Sequence, residues 1–180
     1  MKKILTVILT IAVLGMFATS LFAADAQYVG AAKCKMCHNS AKSGKQFQIW
    51  SESKHAKAFE TLATEEAKAI AAKMGIEDPQ KSEKCLKCHT TGYGADKAMF
   101  AASFKMEEGV GCESCHGPGS EYKSMKVMKG IASGTMKGAD YGLIEATEEQ
   151  CKTCHNEESP TFKGFDYKTF WTKIAHPAGK

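Results

Sequence analysis

The chain has 180 residues, with 24 basic residues against 20 acidic ones and a formal charge of +4; every basic residue is a lysine. That length accommodates one ordinary domain together with an export signal. So small a surplus of charge gives no ground for a nucleic-acid-binding surface.

The first residues, Met1-Lys2-Lys3, are followed by an apolar run from position 4 to 24 that ends in small residues. A basic head, an apolar stretch and a small-residue finish are the pattern of a secretory signal peptide, expected to span residues 1–23 and to be cleaved. The alternative is a retained anchor, since the run is nearly long enough to span a bilayer. Residues 24–180 are then expected to form one mature domain. No later stretch is long and apolar enough to cross a membrane.

All eight cysteines lie in four copies of one pentapeptide. They are Cys34-Lys35-Met36-Cys37-His38, Cys85-Leu86-Lys87-Cys88-His89, Cys112-Glu113-Ser114-Cys115-His116 and Cys151-Lys152-Thr153-Cys154-His155. The first cysteines are 51, 27 and 39 residues apart, so the chain is no solenoid of fixed period.

Between the motifs the pattern is helical. Residues 43–59 read as one helix, with Phe47 and Trp50 three apart on one face. Thr64 is placed to cap a second, whose stripe is Ala67, Ile70, Ala71 and Met74 and which Gly75 ends. Ser82 starts a short helix carrying the second motif, and residues 90–97 read as loop. Residues 120–129 read as helical, and the glycine-rich stretch 130–142 as an irregular connection. Thr147 and Gln150 have capping-box spacing ahead of the fourth motif. Asp166 caps a last helix expected to run to Pro177. No segment alternates as a strand does. The expected fold is all-α and loop-rich.

The pentapeptide is a covalent haem attachment site. Cysteines at i and i+3 share one side of a helical turn, so both thiols can add to the vinyl groups of one porphyrin. The adjacent histidine then gives an imidazole nitrogen to the iron. A zinc or disulfide reading of the same cysteines leaves four histidines unexplained. Four covalently bound haem c groups are therefore expected, on Cys34 and Cys37, Cys85 and Cys88, Cys112 and Cys115, and Cys151 and Cys154. Their proximal iron ligands are His38, His89, His116 and His155. About 39 mature residues per haem cannot build a large side-chain core, so the macrocycles are expected to form much of the interior. With the signal removed and the haem propionates counted, the net charge falls to about −2 oxidised and about −6 reduced.

The chain has six histidines, so only His55 and His176 remain as distal ligands. At most two irons can then have two histidines within one chain. The other two take methionine, for which Met125 and Met128 are the candidates, or stay open to a small gas such as nitric oxide or carbon monoxide. Trp50, Tyr93, Tyr122, Phe165 and Trp171 are expected to pack against haem edges.

These residues resemble the cytochrome c-554 family of tetrahaem cytochromes. The likeness lies in Trp50-Ser51-Glu52-Ser53-Lys54-His55-Ala56-Lys57-Ala58 and Cys88-His89-Thr90-Thr91-Gly92-Tyr93-Gly94. It is most specific in Gly109-Val110-Gly111-Cys112-Glu113-Ser114-Cys115-His116-Gly117-Pro118-Gly119, and continues in Ser159-Pro160-Thr161-Phe162-Lys163-Gly164. The resemblance implies a periplasmic electron carrier, not an enzyme, that shuttles electrons between a redox protein donor and acceptor. It implies that His55 ligates the haem at Cys112 and Cys115, that His176 serves the haem at Cys151 and Cys154, and that the haem at Cys85 and Cys88 is five-coordinate. The family's histidine shortly after the third motif is absent here, where the chain reads Tyr122-Lys123-Ser124-Met125-Lys126-Val127-Met128. Met125 or Met128 then completes the first haem, or a neighbouring subunit does so in a homo-oligomer. Two rival functions follow: reduction of a small nitrogen species at an open iron, and assembly into an extracellular cytochrome filament.

Overall fold

A computed structural model describes residues 26–177. The expected signal peptide lies outside these residues. Nine short α-helices follow one another among them: α1 (Ala32–His38), α2 (Gln46–Glu52), α3 (Ala58–Thr61), α4 (Glu65–Lys73), α5 (Glu83–His89), α6 (Cys112–His116), α7 (Met125–Ala132), α8 (Glu148–Lys152) and α9 (Tyr167–Trp171). Three 3-10 turns, Lys97–Met99, Met106–Glu108 and Gly138–Tyr141, punctuate the connections. Among the described residues there is no strand, only an isolated bridge between Tyr28 and Phe100. The all-α, loop-rich expectation holds. No helix among the described residues is long and apolar enough to cross a membrane.

Capping residues account for several helix starts. Thr64, Ser124, Thr147 and Asp166 each accept a backbone N–H of the first turn through their side chains. The helix expected at 120–129 begins at Ser124 for this reason. The last helix ends at Trp171, well short of Pro177.

The stretch read as one helix from 43 to 59 is two. Lys45 takes a left-handed φ of 55° before α2, and Ser53 is extended after it. The chain then turns through His55 before α3 begins. The His55 carbonyl accepts from the Val110 N–H at 3.0 Å and the Ala58 N–H at 3.1 Å. Val110 in turn accepts the Trp50 indole N–H at 2.8 Å. Gly109 (φ 71°) makes the approach possible: a Cβ there would lie 2.8 Å from the His55 carbonyl oxygen. Long-range backbone pairing thus overrides the local periodicity and sets the turn that carries His55.

The apolar interior is small. Among the described residues the buried apolar ones are Val29, Ala31, Leu62, Ala71, Leu86 and Tyr122, and no large side chain is fully enclosed. An aromatic cluster supplements it, with Phe100 centroids 5.4 Å from Tyr28 and 4.6 Å from Phe104.

Candidate haem centres

The first three motifs lie on α1, α5 and α6, each ending in its histidine. The fourth starts in the last turn of α8, and Cys154 and His155 follow in the turn beyond. Helical geometry turns the two thiols of each motif to one side. All eight cysteines are free thiols.

The motifs meet in a definite order. The Cys34 thiol is hydrogen-bonded to Cys112, which raises the Cys34 pKa and lowers that of Cys112. Burial, reinforced by the neighbouring Cys154, pushes Cys88 up to about 11. Cys154 also donates its thiol to the Lys87 carbonyl at 3.9 Å, and Lys87 pairs with Glu158. Burial, with the charges of Cys151 and Cys154, pushes Cys115 up to about 11. The Gln150 side-chain amide donates to the Ser114 carbonyl at 2.6 Å. Motif 1 therefore adjoins motif 3, motif 3 adjoins motif 4, and motif 4 adjoins motif 2. Gln150 is used for this bridge between motifs, while Thr147 alone makes the cap contact, accepting the Gln150 N–H at 3.2 Å.

The histidines form two pairs. The ring centroids of His55 and His155 are 5.9 Å apart at 60°. Those of His116 and His176 are also 5.9 Å apart, at 47°. Both pairs are close enough for one iron to draw a ring nitrogen from each residue. Burial lowers the pKa of all four, in His55 with help from His155 and in His176 with help from His116. The neutral imidazole is the ligating form.

This pairing differs from the assignment implied by the resemblance. His55 faces the fourth motif and His176 the third, the reverse of what was expected. The backbone of His55 is tied to Val110, next to the third motif, but its ring reaches across to His155. His176 comes to His116 because the tail is anchored elsewhere: the Pro177 carbonyl accepts from the Gln46 side-chain amide at 2.9 Å.

His89 is oriented differently. Its Nδ1 lies 2.7 Å from the Ala58 carbonyl oxygen. An Nδ1–H donated there leaves Nε2 for a metal, a common second-shell arrangement. Among the described residues no second imidazole faces His38 or His89 at ring-contact distance. Met125, at the start of α7, is 61% exposed, whereas Met128 is half-buried. Phe165 stacks on His155 with centroids 4.9 Å apart at 14°. Together they line a cavity of about 260 Å³ with Lys152, Asn156, Glu157 and Phe162. Trp50 is engaged with Val110, Tyr122 is buried, and Tyr93 and Trp171 are exposed.

Among the described residues no three His, Cys, Asp or Glu side chains converge on a cation-sized site. A four-thiolate zinc centre requires that convergence. Thiols paired at i, i+3 with a following imidazole suit a planar macrocycle, and the separation of the two histidine pairs fits one.

Sequence reasoning missed Glu113, which is 3% exposed. The signal was present: the other three motifs carry lysine between their cysteines, and only this one carries an acid.

A family model described as "Cytochrome c554 and c-prime" matches residues 33–117, which hold the first three motifs. The curated cytochrome c-554 of Nitrosomonas europaea is 36% identical over 174 residues, covering 83% of this chain and 70% of that protein. No solved structure matches.

Proposed function

The chain belongs to the cytochrome c-554 family, a c-type cytochrome family with covalent haem and an electron-carrier role, and we propose that it is a periplasmic tetrahaem carrier. The observation that carries this reading is the pair of histidine couples, His55 with His155 and His116 with His176, each at 5.9 Å and each beside a Cys-x-x-Cys motif. Each bound haem supplies a one-electron ferric–ferrous couple.

The protein's own residues do the rest. Cys34, Cys37, Cys85, Cys88, Cys112, Cys115, Cys151 and Cys154 hold the four groups, and His38, His89, His116 and His155 supply the proximal nitrogens. His176 and His55 complete the third and fourth sites. Met125 and Met128 are the candidates to complete the first, Met128 half-buried and Met125 exposed. The thiol contacts set the order in which the sites adjoin, 1–3–4–2. Donor and acceptor are redox proteins that dock near the two ends of that order. Mass spectrometry of the mature protein tests the stoichiometry, with an addition of four haems expected. EPR of the oxidised protein is expected to give two low-spin signals from bis-histidine sites; their absence rejects the assignment.

A second reading rests on His89, whose ring has no imidazole opposite. An open iron there would bind nitric oxide and reduce it. Turnover of nitric oxide by the reduced protein, abolished by removing His89, would establish an enzyme in place of a carrier.

A further inference from the structure

Glu113 is a carboxylate buried without a cation. Its Oε1 accepts the Val29 N–H at 2.8 Å and the Gly119 N–H at 2.7 Å. Its Oε2 accepts the Gly30 N–H at 2.8 Å and shares the Val29 N–H at 3.0 Å. Three backbone donors converge on two oxygens, and the donors come from two separate segments. Gly119 is shaped to this group, since a Cβ there would lie 3.0 Å from Oε1.

Only an ionised carboxylate presents acceptors alone to such a set; a protonated one would turn its own O–H toward an N–H. Among the described residues no lysine pairs with Glu113. The titratable groups that face it, Glu108, Tyr28, Tyr122, Cys34 and Cys112, are none of them cationic. Glu108 is half-buried and satisfied by the Ala31 N–H at 2.7 Å. The Tyr122 hydroxyl donates to the Gly117 carbonyl at 2.7 Å, leaving Glu113 to the backbone.

The position of this charge gives it a use beyond holding loops together. Glu113 follows Cys112 directly, and its field is felt at both Cys34 and Cys112. Those sulfurs are where the first and third macrocycles would attach. A ferric haem is one unit more positive than a ferrous one, so a nearby buried anion favours the ferric state. Low local dielectric strengthens that effect over what a surface acid would give.

We infer that Glu113 is a positioning residue that holds a fixed negative charge at the junction of motifs 1 and 3 and thereby lowers the reduction potentials of the two haems held there. The inference rests on the carrier reading and adds a division of labour to it. Motifs 1 and 3 form the low-potential half, and motifs 2 and 4, whose cysteines do not feel Glu113, the higher one.

Two variants separate charge from scaffolding. Glu113→Gln keeps the length and removes the charge; Glu113→Asp keeps the charge and shortens the reach. Potentials of the four haems in the holoprotein are read by spectroelectrochemistry resolved with EPR, alongside thermal melts. Glu113→Gln is expected to raise the reduction equilibrium constant of the haems on motifs 1 and 3 at least tenfold, which is 59 mV for one electron. The other two should stay in place. Glu113→Asp is expected to keep parental potentials even where its melting temperature falls. Unmoved potentials in Glu113→Gln, or equal shifts in both variants, overturn the inference.

If Glu113→Gln does not fold, the unmodified protein decides. The haems on motifs 3 and 4 would each have two histidine ligands, so the one on motif 3 must have the lower potential. An equal or higher value overturns the inference. Mass spectrometry reports separately on the carrier reading: missing haem at motifs 1 and 3 removes both proposals, whereas four attached haems with unmoved potentials remove only the role of Glu113.

Discussion

The imidazole of His55 faces that of His155, 100 residues further along the chain, with centroids 5.9 Å apart. Neither residue is placed by its own helix; one sits in the turn between α2 and α3 and the other just past α8. The contact joins the first interval of the chain to the last motif.

This pairing makes the two distal histidines separable. His55→Ala is expected to convert the haem on Cys151 and Cys154 from low spin to high spin, and His176→Ala the haem on Cys112 and Cys115. EPR, combined with loss of the respective proximal histidine, assigns each signal. The reverse assignment would restore the pairing first implied by family resemblance.

Gly109 offers a test of how the turn is held. Its positive φ and the 2.8 Å approach to the His55 carbonyl leave no room for a side chain. Gly109→Ala should destabilise the protein by about 1–3 kcal/mol. A melting temperature several degrees lower, with the fourth-motif EPR signal broadened or shifted, is the expected result. A change in stability without any change at that haem would mean that the turn does not position His55.

Few apolar residues are buried among the described ones, so protein contacts alone should not sustain this fold. A variant with all eight motif cysteines changed to alanine is expected to be largely unfolded by circular dichroism and expanded in small-angle scattering. A native-like radius would refute it.

Burial raises the pKa of Glu113 above its ordinary 4.5, against the lowering effect of its backbone donors. A group whose folded pKa is raised contributes stability below its unfolded pKa and loses that contribution as pH rises through the folded value. Stability of the parent relative to Glu113→Gln should therefore decline from pH 4.5 upward and then level off. Paired thermal melts across that range would measure the slope. A relative stability that rises with pH would reverse the assigned direction.

Much of this molecule was legible in the sequence because its chemistry is local. Cys34 and Cys37 need only one helical turn to point together, and their spacing shows it. Thr64, Thr147 and Asp166 act within three residues, so their caps could be read directly. What escaped was set by distant partners. The helix expected through residue 59 breaks because Val110 claims the His55 carbonyl. The candidate distal histidines could be counted, but which motif each faces depends on how loops cross, and periodicity carries no trace of that. The burial of Glu113 is set by Val29, Gly30 and Gly119, which enclose it from other segments.

The order in which the motifs adjoin has a consequence for how the chain can be divided. Cys34 meets Cys112 and Cys88 meets Cys154, so the two partnerships interleave along the sequence. A cut between motifs 2 and 3 severs both. The N-terminal half keeps no neighbouring pair and the C-terminal half only motifs 3 and 4, so a two-haem fragment of this chain is not a smaller version of it. Division at the midpoint therefore breaks two of the three contacts between motifs.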